Sequence, residues 1–334
     1  MNNFKKIGMS ALAASLVSTS AFAGELTASG SASVTMEGFS GTAVQTETAL
    51  SMGDSVYLAG STELDNGMTV SMSFELDSDN QSTSSSYDDE SVTISSDAMG
   101  TVKFSGHGGS SATSAIDATA AGNIYDNFDG TAGDGTGNGL SSNGVALLAA
   151  GAGDNNIYYT LPAMVDGLAV NASLNTAGAT GNNALGFNMT YTGVEGLSVS
   201  YGQGSADGDA AGSGGTAANS DTTSLKASYA IGSFTLAYSD HDHDSNTDTS
   251  DQTATSWKVS YTVSDAVSVT YGTESLDSAA TADTSDAEYT KITASHTSGG
   301  MTVSANYQEA TEMSYTTATD EDEEYVGLSV SFAF

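Results

Sequence analysis

Met68-Thr69-Val70-Ser71-Met72-Ser73-Phe74-Glu75-Leu76-Asp77 places an apolar residue at every even position and a small or polar one at every odd position. Successive side chains of an extended chain point to opposite faces, so this stretch reads as a β-strand with one apolar and one wet side. Just before it stands Asn66-Gly67, the pair a two-residue hairpin turn prefers because both central positions need positive φ. Just after it, residues 78 to 88 are polar and carry no period.

The same alternation recurs in both directions. Upstream, Leu26, Ala28, Ala32, Val34 and Met36 alternate with Thr27, Ser29, Ser31, Ser33 and Thr35. Downstream it returns at Leu168, Val170 and Leu174, at Leu197, Val199 and Tyr201, and at Phe234, Leu236 and Tyr238. It continues at Trp257, Val259, Tyr261 and Val263, then at Met301, Val303, Ala305 and Tyr307. Helical periodicity is nearly absent. Seven tight turns fall near Asn66-Gly67, Asp97 to Gly100, Ala163 to Gly167, Gly193 to Gly196, Ile231-Gly232, Ser264-Asp265 and Ser298 to Gly300. Eight long polar segments lie between them, at 38–49, 78–88, 109–154, 176–183, 204–220, 240–252, 276–285 and 310–321. Together they join sixteen strands. An even strand number, with short turns at one end and long loops at the other, predicts an all-β, 16-stranded antiparallel transmembrane β-barrel with periplasmic turns and extracellular loops.

Hydrocarbon requires every backbone polar group to be paired and outward side chains to be apolar, so the apolar set points out. Tyr191, Tyr229 and Tyr261 lie just ahead of tight turns, whereas Tyr238, Tyr271 and Tyr307 lie toward the long loops. Two rows of amphipathic rings are what aromatic girdles look like in sequence. Alternation alone also suits a soluble β-sandwich. The chain end favours the barrel: Val326, Leu328, Val330, Phe332 and Phe334 alternate with Gly327, Ser329, Ser331 and Ala333. Such a strand closes the sheet against the first one near Leu26 and abolishes both edges.

Composition narrows the function. The 334 residues carry 41 Asp and Glu against 6 Lys and no Arg, a formal charge of -35, which repels nucleic-acid phosphates. With no cysteine, disulfide frameworks, thiolate metal sites and cysteine nucleophiles are excluded together. Lys5 and Lys6, an apolar stretch from Ile7 to Val17 and Ala21-Phe22-Ala23 have the pattern of a secretory signal peptide over residues 1–23. The apolar part is shorter than the roughly 20 residues a membrane helix needs. The expected domain is then the barrel over 24–334.

These residues resemble the Gram-negative general porin family, in particular its alphaproteobacterial type. Asp54-Ser55-Val56-Tyr57-Leu58-Ala59-Gly60 through Leu64-Asp65-Asn66-Gly67 and Phe74-Glu75-Leu76 are similar to its second and third strands. Gly153-Asp154-Asn155-Asn156-Ile157-Tyr158-Tyr159-Thr160-Leu161-Pro162, followed by Gly167-Leu168, resembles the strand after the third loop. Terminal Phe334 resembles the assembly signal of outer-membrane barrels. The resemblance implies a homotrimer of water-filled pores in the outer membrane, each constricted by a third loop folded into the barrel. That loop is the longest here, 109–154, with Asp117, Asp126, Asp129, Asp134 and Asp154 among glycines, alanines and serines. An unstructured loop of this length has a job or is disordered, so an exposed flexible loop is the other reading.

Many family members face that loop with arginines, a feature this arginine-free chain lacks. Lys103, Lys226, Lys258 and Lys291 take the polar phase of their strands, as Glu75 does, and therefore line the lumen. There a charge avoids the lipid penalty of about 2 to 4 kcal/mol at midplane, so a wet interior tolerates these lysines whether or not they form an eyelet. Lys103, entering the third loop, is the lysine expected to oppose Asp117, Asp126, Asp129 and Asp134. The acid excess points to cation preference.

Asp240-His241-Asp242-His243-Asp244 places two imidazoles on one side of an extended segment, a donor set for zinc or copper, or simply a solvated run. Residues 126–139 and Asp320-Glu321-Asp322-Glu323-Glu324 offer oxygen ligands for loop-bound Ca2+ or Mg2+ that bridge to anionic lipopolysaccharide. Catalysis needs a His near a nucleophile, and the candidate is His296 among Ser295, Thr297 and Ser298, beside a tight turn. No enzymatic role or resident cofactor is expected. A diffusion pore and a structural or adhesive surface barrel with divalent-cation-binding loops are the two functional readings.

Overall fold

A computed structural model describes residues 26–41, 48–77, 87–113, 116–128, 154–176, 183–206, 220–245, 251–279, 285–313 and 322–334. The expected signal peptide, 1–23, lies outside them. The strands are β1 (Leu26–Gly41), β2 (Thr48–Glu63), β3 (Thr69–Asp77), β4 (Tyr87–Ser96), β5 (Gly100–His107), β6 (Asn156–Thr160), β7 (Leu168–Thr176) and β8 (Asn183–Tyr191). They continue as β9 (Leu197–Ala206), β10 (Ser220–Ile231), β11 (Phe234–Ser245), β12 (Gln252–Ser264), β13 (Val267–Ser278), β14 (Ala287–Ser298), β15 (Met301–Thr311) and β16 (Glu323–Ala333). Each pairs antiparallel with its sequence neighbour, and β1 pairs with β16, giving a closed 16-stranded barrel. Closure leaves no edge whose N–H and C=O groups would need water, which is the condition for crossing a bilayer with strands.

Side chains sort as alternation requires. Leu50, Met52, Met72, Leu185, Leu236, Trp257 and Val326 are exposed on the outside. Of the aromatic rows, Tyr191, Tyr229 and Tyr261 near the turns and Tyr271 toward the loops are exposed as well. Phe234 stacks on Tyr261 with centroids 4.8 Å apart, and Tyr238 on Trp257 at 4.4 Å.

Two local expectations are corrected. Asn66-Gly67 is not a two-residue turn: the Gly67 amide donates to the Leu64 carbonyl (2.9 Å) and the Leu64 amide to the Met68 carbonyl (2.7 Å). Only Gly67, at φ 78°, takes the left-handed conformation, while Asn66 does not. A wider turn closed by one left-handed glycine does the same work. Several strands also run past the positions where alternation fades. Asp240 to Asp244, read as loop, belong to β11, and β1 continues to Gly41. Ladder hydrogen bonds need no apolar side chain, so strands continue above the apolar band.

The seam begins at Gly30 and not at Leu26, which pairs with Gly60 of β2. The Phe334 amide donates to the Gly30 carbonyl (3.0 Å) and the Gly30 amide to the Phe334 carbonyl (2.9 Å). A Cβ at Gly30 would sit 2.7 Å from the Phe334 ring, so this glycine is what lets the terminal aromatic lie down.

The apolar core lies inside the barrel. Phe39, Leu276, Tyr289 and Tyr325 point inward against alternation and, with Met313 just beyond β15, enclose Ile124, Tyr125 and Phe128 of the third long connection. Alternation fails there because the facing surface is protein and not water.

Candidate functional site

From the end of β5 the chain turns into the barrel and runs along its inner wall from β7 to β15. The Ala112 amide donates to Ser173 Oγ of β7 (2.8 Å). On β8, a Cβ at Gly186 would lie 2.6 Å from Ser111 Oγ, and on β9 one at Gly202 would collide with Ile116. Lys226 Nζ of β10 donates to the Ala118 carbonyl (2.9 Å). The Ala120 amide donates to Ser239 Oγ of β11 (2.8 Å), and the Ala121 amide to Ser256 Oγ of β12 (2.9 Å). On β13, Glu274 accepts from Thr119 Oγ1 and from the Tyr125 amide (3.3 Å), while a Cβ at Gly272 would press on Ala121 Cβ at 2.7 Å. Tyr289 of β14 packs against the rings of Tyr125 and Phe128, and Asn127 Nδ2 donates to Gln308 Oε1 of β15 (2.9 Å).

Serine hydroxyls and glycine gaps thus make a polar seat for a backbone that is not itself a strand, satisfying the amide groups that a buried loop would otherwise leave unpaired. The loop also binds itself. Thr119 Oγ1 accepts from the Gly122 (3.0 Å) and Asn123 (2.8 Å) amides, and Asn123 Oδ1 accepts from the Thr119 amide (2.8 Å). Asn123, at φ 51°, then opens a 3-10 turn over Ile124–Asn127. Ile116, Ile124, Tyr125 and Phe128 are buried, the apolar signal in the sequence that marks a docked segment.

Of the expected loop acids, Asp117 is half-buried and Asp126 exposed, both on this inner segment; Asp129 and Asp134 lie outside the described residues. Burial pushes the Asp117 carboxyl above the usual carboxylate range, opposed by the Ala118 amide and by Lys226. Asp154, at the far end of the connection, approaches His107 at 3.7 Å. Lys226, Lys258 and Lys291 occupy β10, β12 and β14, and the last two both pair in register with Gly272 of β13. They belong to the wall that carries the loop. Lys103 is on β5, eight strands round the closed ring from β13. Glu75 points inward on β3 in register with Tyr57. Glu274 takes the same polar phase as Glu75, the signal that could have singled it out.

His241 and His243 both face inward from β11. His241 Nδ1 and Ser224 Oγ are hydrogen-bonded, and His243 Nδ1 lies 3.2 Å from Thr222 Oγ1. Ser224–His241 has the elements of a nucleophile and base, but their exposures are 2% and 0%, and Nε2 has no hydrogen-bond partner to orient the ring. His296 sits on the outward phase of β14. Among the described residues no three His, Asp or Glu side chains converge to hold a metal ion.

Comparison with curated protein sequences finds no match. Solved structures share the fold. A loop-deletion mutant of OmpT, an outer membrane protein of Vibrio cholerae, aligns at 15% identity over 93% of this chain and 99% of its own, with TM-score 0.69. An anion-selective porin from Comamonas acidovorans aligns at 16% identity over 93% and 99%, TM-score 0.67, and a mutant Rh. blastica porin at 17% over 93% and 100%, TM-score 0.59. A family model described as Gram-negative porin matches residues 9–334. With its closed barrel and inner loop, the chain belongs to the Gram-negative porin family.

Proposed function

We propose that this outer-membrane barrel is a homotrimeric, water-filled channel without enzymatic activity, through which ions and small hydrophilic solutes diffuse passively with a preference for cations. The observation that carries the reading is the third-loop segment, residues 116 to 128, fastened along the inner wall of the closed barrel. Asp126 and Asp117 are on the loop, and Glu37 and Glu75 point inward from the β1 and β3 side against Lys103 of β5. Charges in open water are screened beyond about 8 Å, so these groups outweigh the acids of 320 to 324. Single-channel conductance separates a channel from a structural or adhesive barrel. Reversal potential under a potassium chloride gradient gives the sign: anion preference in the unaltered protein overturns the reading. Replacing Asp117, Asp126, Asp129 and Asp134 with Asn is expected to weaken cation preference, and no change would mean the third loop is not the constriction.

The trimer rests on family membership and on Ala28 and Ala32, whose small side chains on the outer face of β1 let neighbouring barrels approach; a monomer in mild-detergent crosslinking refutes it. Outside, Asp240, Asp242, Glu288 and Glu309 take the outward phase beyond the tyrosine row. Anionic lipopolysaccharide meets them through Ca2+ or Mg2+, and chelation is expected to lower the thermal stability of the membrane-embedded protein.

A further inference from the structure

His241 is a fully buried imidazole on the inward face of β11, beside the wall positions on which the loop docks. It pairs in register with Ser224, which pairs with Gly202, the residue on which Ile116 rests. Two residues along β11 from His241, Ser239 holds the Ala120 amide; two along β10 from Ser224, Lys226 holds the Ala118 carbonyl. Ile116, Ala118 and Ala120 of the loop are therefore fastened at wall positions next to the ring. Its Nδ1 is committed to Ser224, and its Nε2 is buried without a hydrogen-bond partner.

We propose that His241 is the trigger of an acid-sensitive constriction: protonating its imidazole displaces residues 116 to 121 from the inner wall and narrows the passage. The proposal rests on the channel reading above. A buried imidazolium needs an acceptor at Nε2, and the residues packed around the ring place none there while the loop is down. The charged groups around it do not compensate. Lys226 on β10, itself in the field of Lys258 on β12, repels the new charge; His243 on β11 itself faces Thr222. Asp117 of the loop lies within the field of Lys226, and Glu274 on β13 is engaged by Thr119 and Tyr125. Hydrating the ring means lifting the loop, and with a continuous wall behind it the loop can move only into the lumen.

Two measurements test this on the full chain in its barrel. Single-channel conductance is followed from about pH 7.5 to about pH 4, a range that spans imidazole titration. The unaltered protein should lose conductance reversibly on acidification, and His241→Asn should lose the response while His243→Asn keeps it. The same loss in His241→Asn overturns the proposal and assigns the response to Glu274 or the loop acids. Because the chain has no cysteine, an Ala120→Cys, Ser239→Cys pair gives a readout that does not depend on conduction. Brief oxidation should form the loop-to-wall disulfide less completely at acid pH with His241 present than in the His241→Asn background. Equal pH dependence in both backgrounds refutes the displacement. Absence of conductance at every pH, with the disulfide difference intact, sinks the channel reading alone.

Discussion

The ammonium of Lys226, one of four lysines beyond residue 24, points at the Ala118 carbonyl, so its role differs from that of Lys258 and Lys291 on the same wall. Lys226→Met keeps the aliphatic stem and removes the donor. The loop loses a contact worth on the order of 1 kcal/mol, open-channel noise should rise, and removing a positive charge beside Asp117 should shift the reversal potential toward stronger cation preference. Asp117 makes a pH prediction. Its carboxyl is raised by burial, and an acid with a raised pKa takes up its proton at higher pH than a solvated aspartate. Cation preference should therefore begin to fall on acidification before ordinary carboxylates titrate, and Asp117→Asn should remove that early component. Reversal potentials measured at stepped pH check both.

The strands were readable from alternation because each needs only its own residues to declare two faces; Met68 to Asp77 is complete in itself. What alternation could not convey is which inward positions meet water and which meet the loop. Gly186, Gly202 and Gly272 look like any small residue of a wet face, yet each leaves the gap in which Ser111, Ile116 or Ala121 sits. Their role depends on a segment far away in sequence. Asp240 to Asp244 were misread for the converse reason, since their acidity mimics a loop while the ladder holds them as strand. Gly272→Val should push Ala121 off the wall, cost about 1 to 3 kcal/mol of overpacking and reduce single-channel conductance, with unchanged conductance counting against the docked loop. At the seam, Gly30→Leu and deletion of Phe334 should each impair closure, read as a lower yield of folded, heat-modifiable protein. Normal yield for both would mean that neither terminal pairing nor the aromatic end directs assembly.

At the scale of the whole molecule, the excess of 41 acids over 6 lysines sets a field that salt can test. Cation preference should weaken as ionic strength rises, and the part that survives high salt should belong to groups beside the passage. The inner loop also makes the barrel unequal around its circumference. Among the described residues the second layer follows the wall from β7 to β15 and ends in an apolar cluster with Phe39 of β1 and Tyr325 of β16. That inequality has a consequence in time. The loop leaves β5, but its partners Ser239, Glu274 and Gln308 stand 119 to 181 residues downstream of the groups they hold. Contacts so distant form late, because loop-closure entropy opposes them until the intervening strands exist. The lumen should therefore be built open and furnished afterwards, and an Ala120→Cys chain halted after barrel closure should already show the mobility of a folded barrel in a gel while that thiol is still fully reactive.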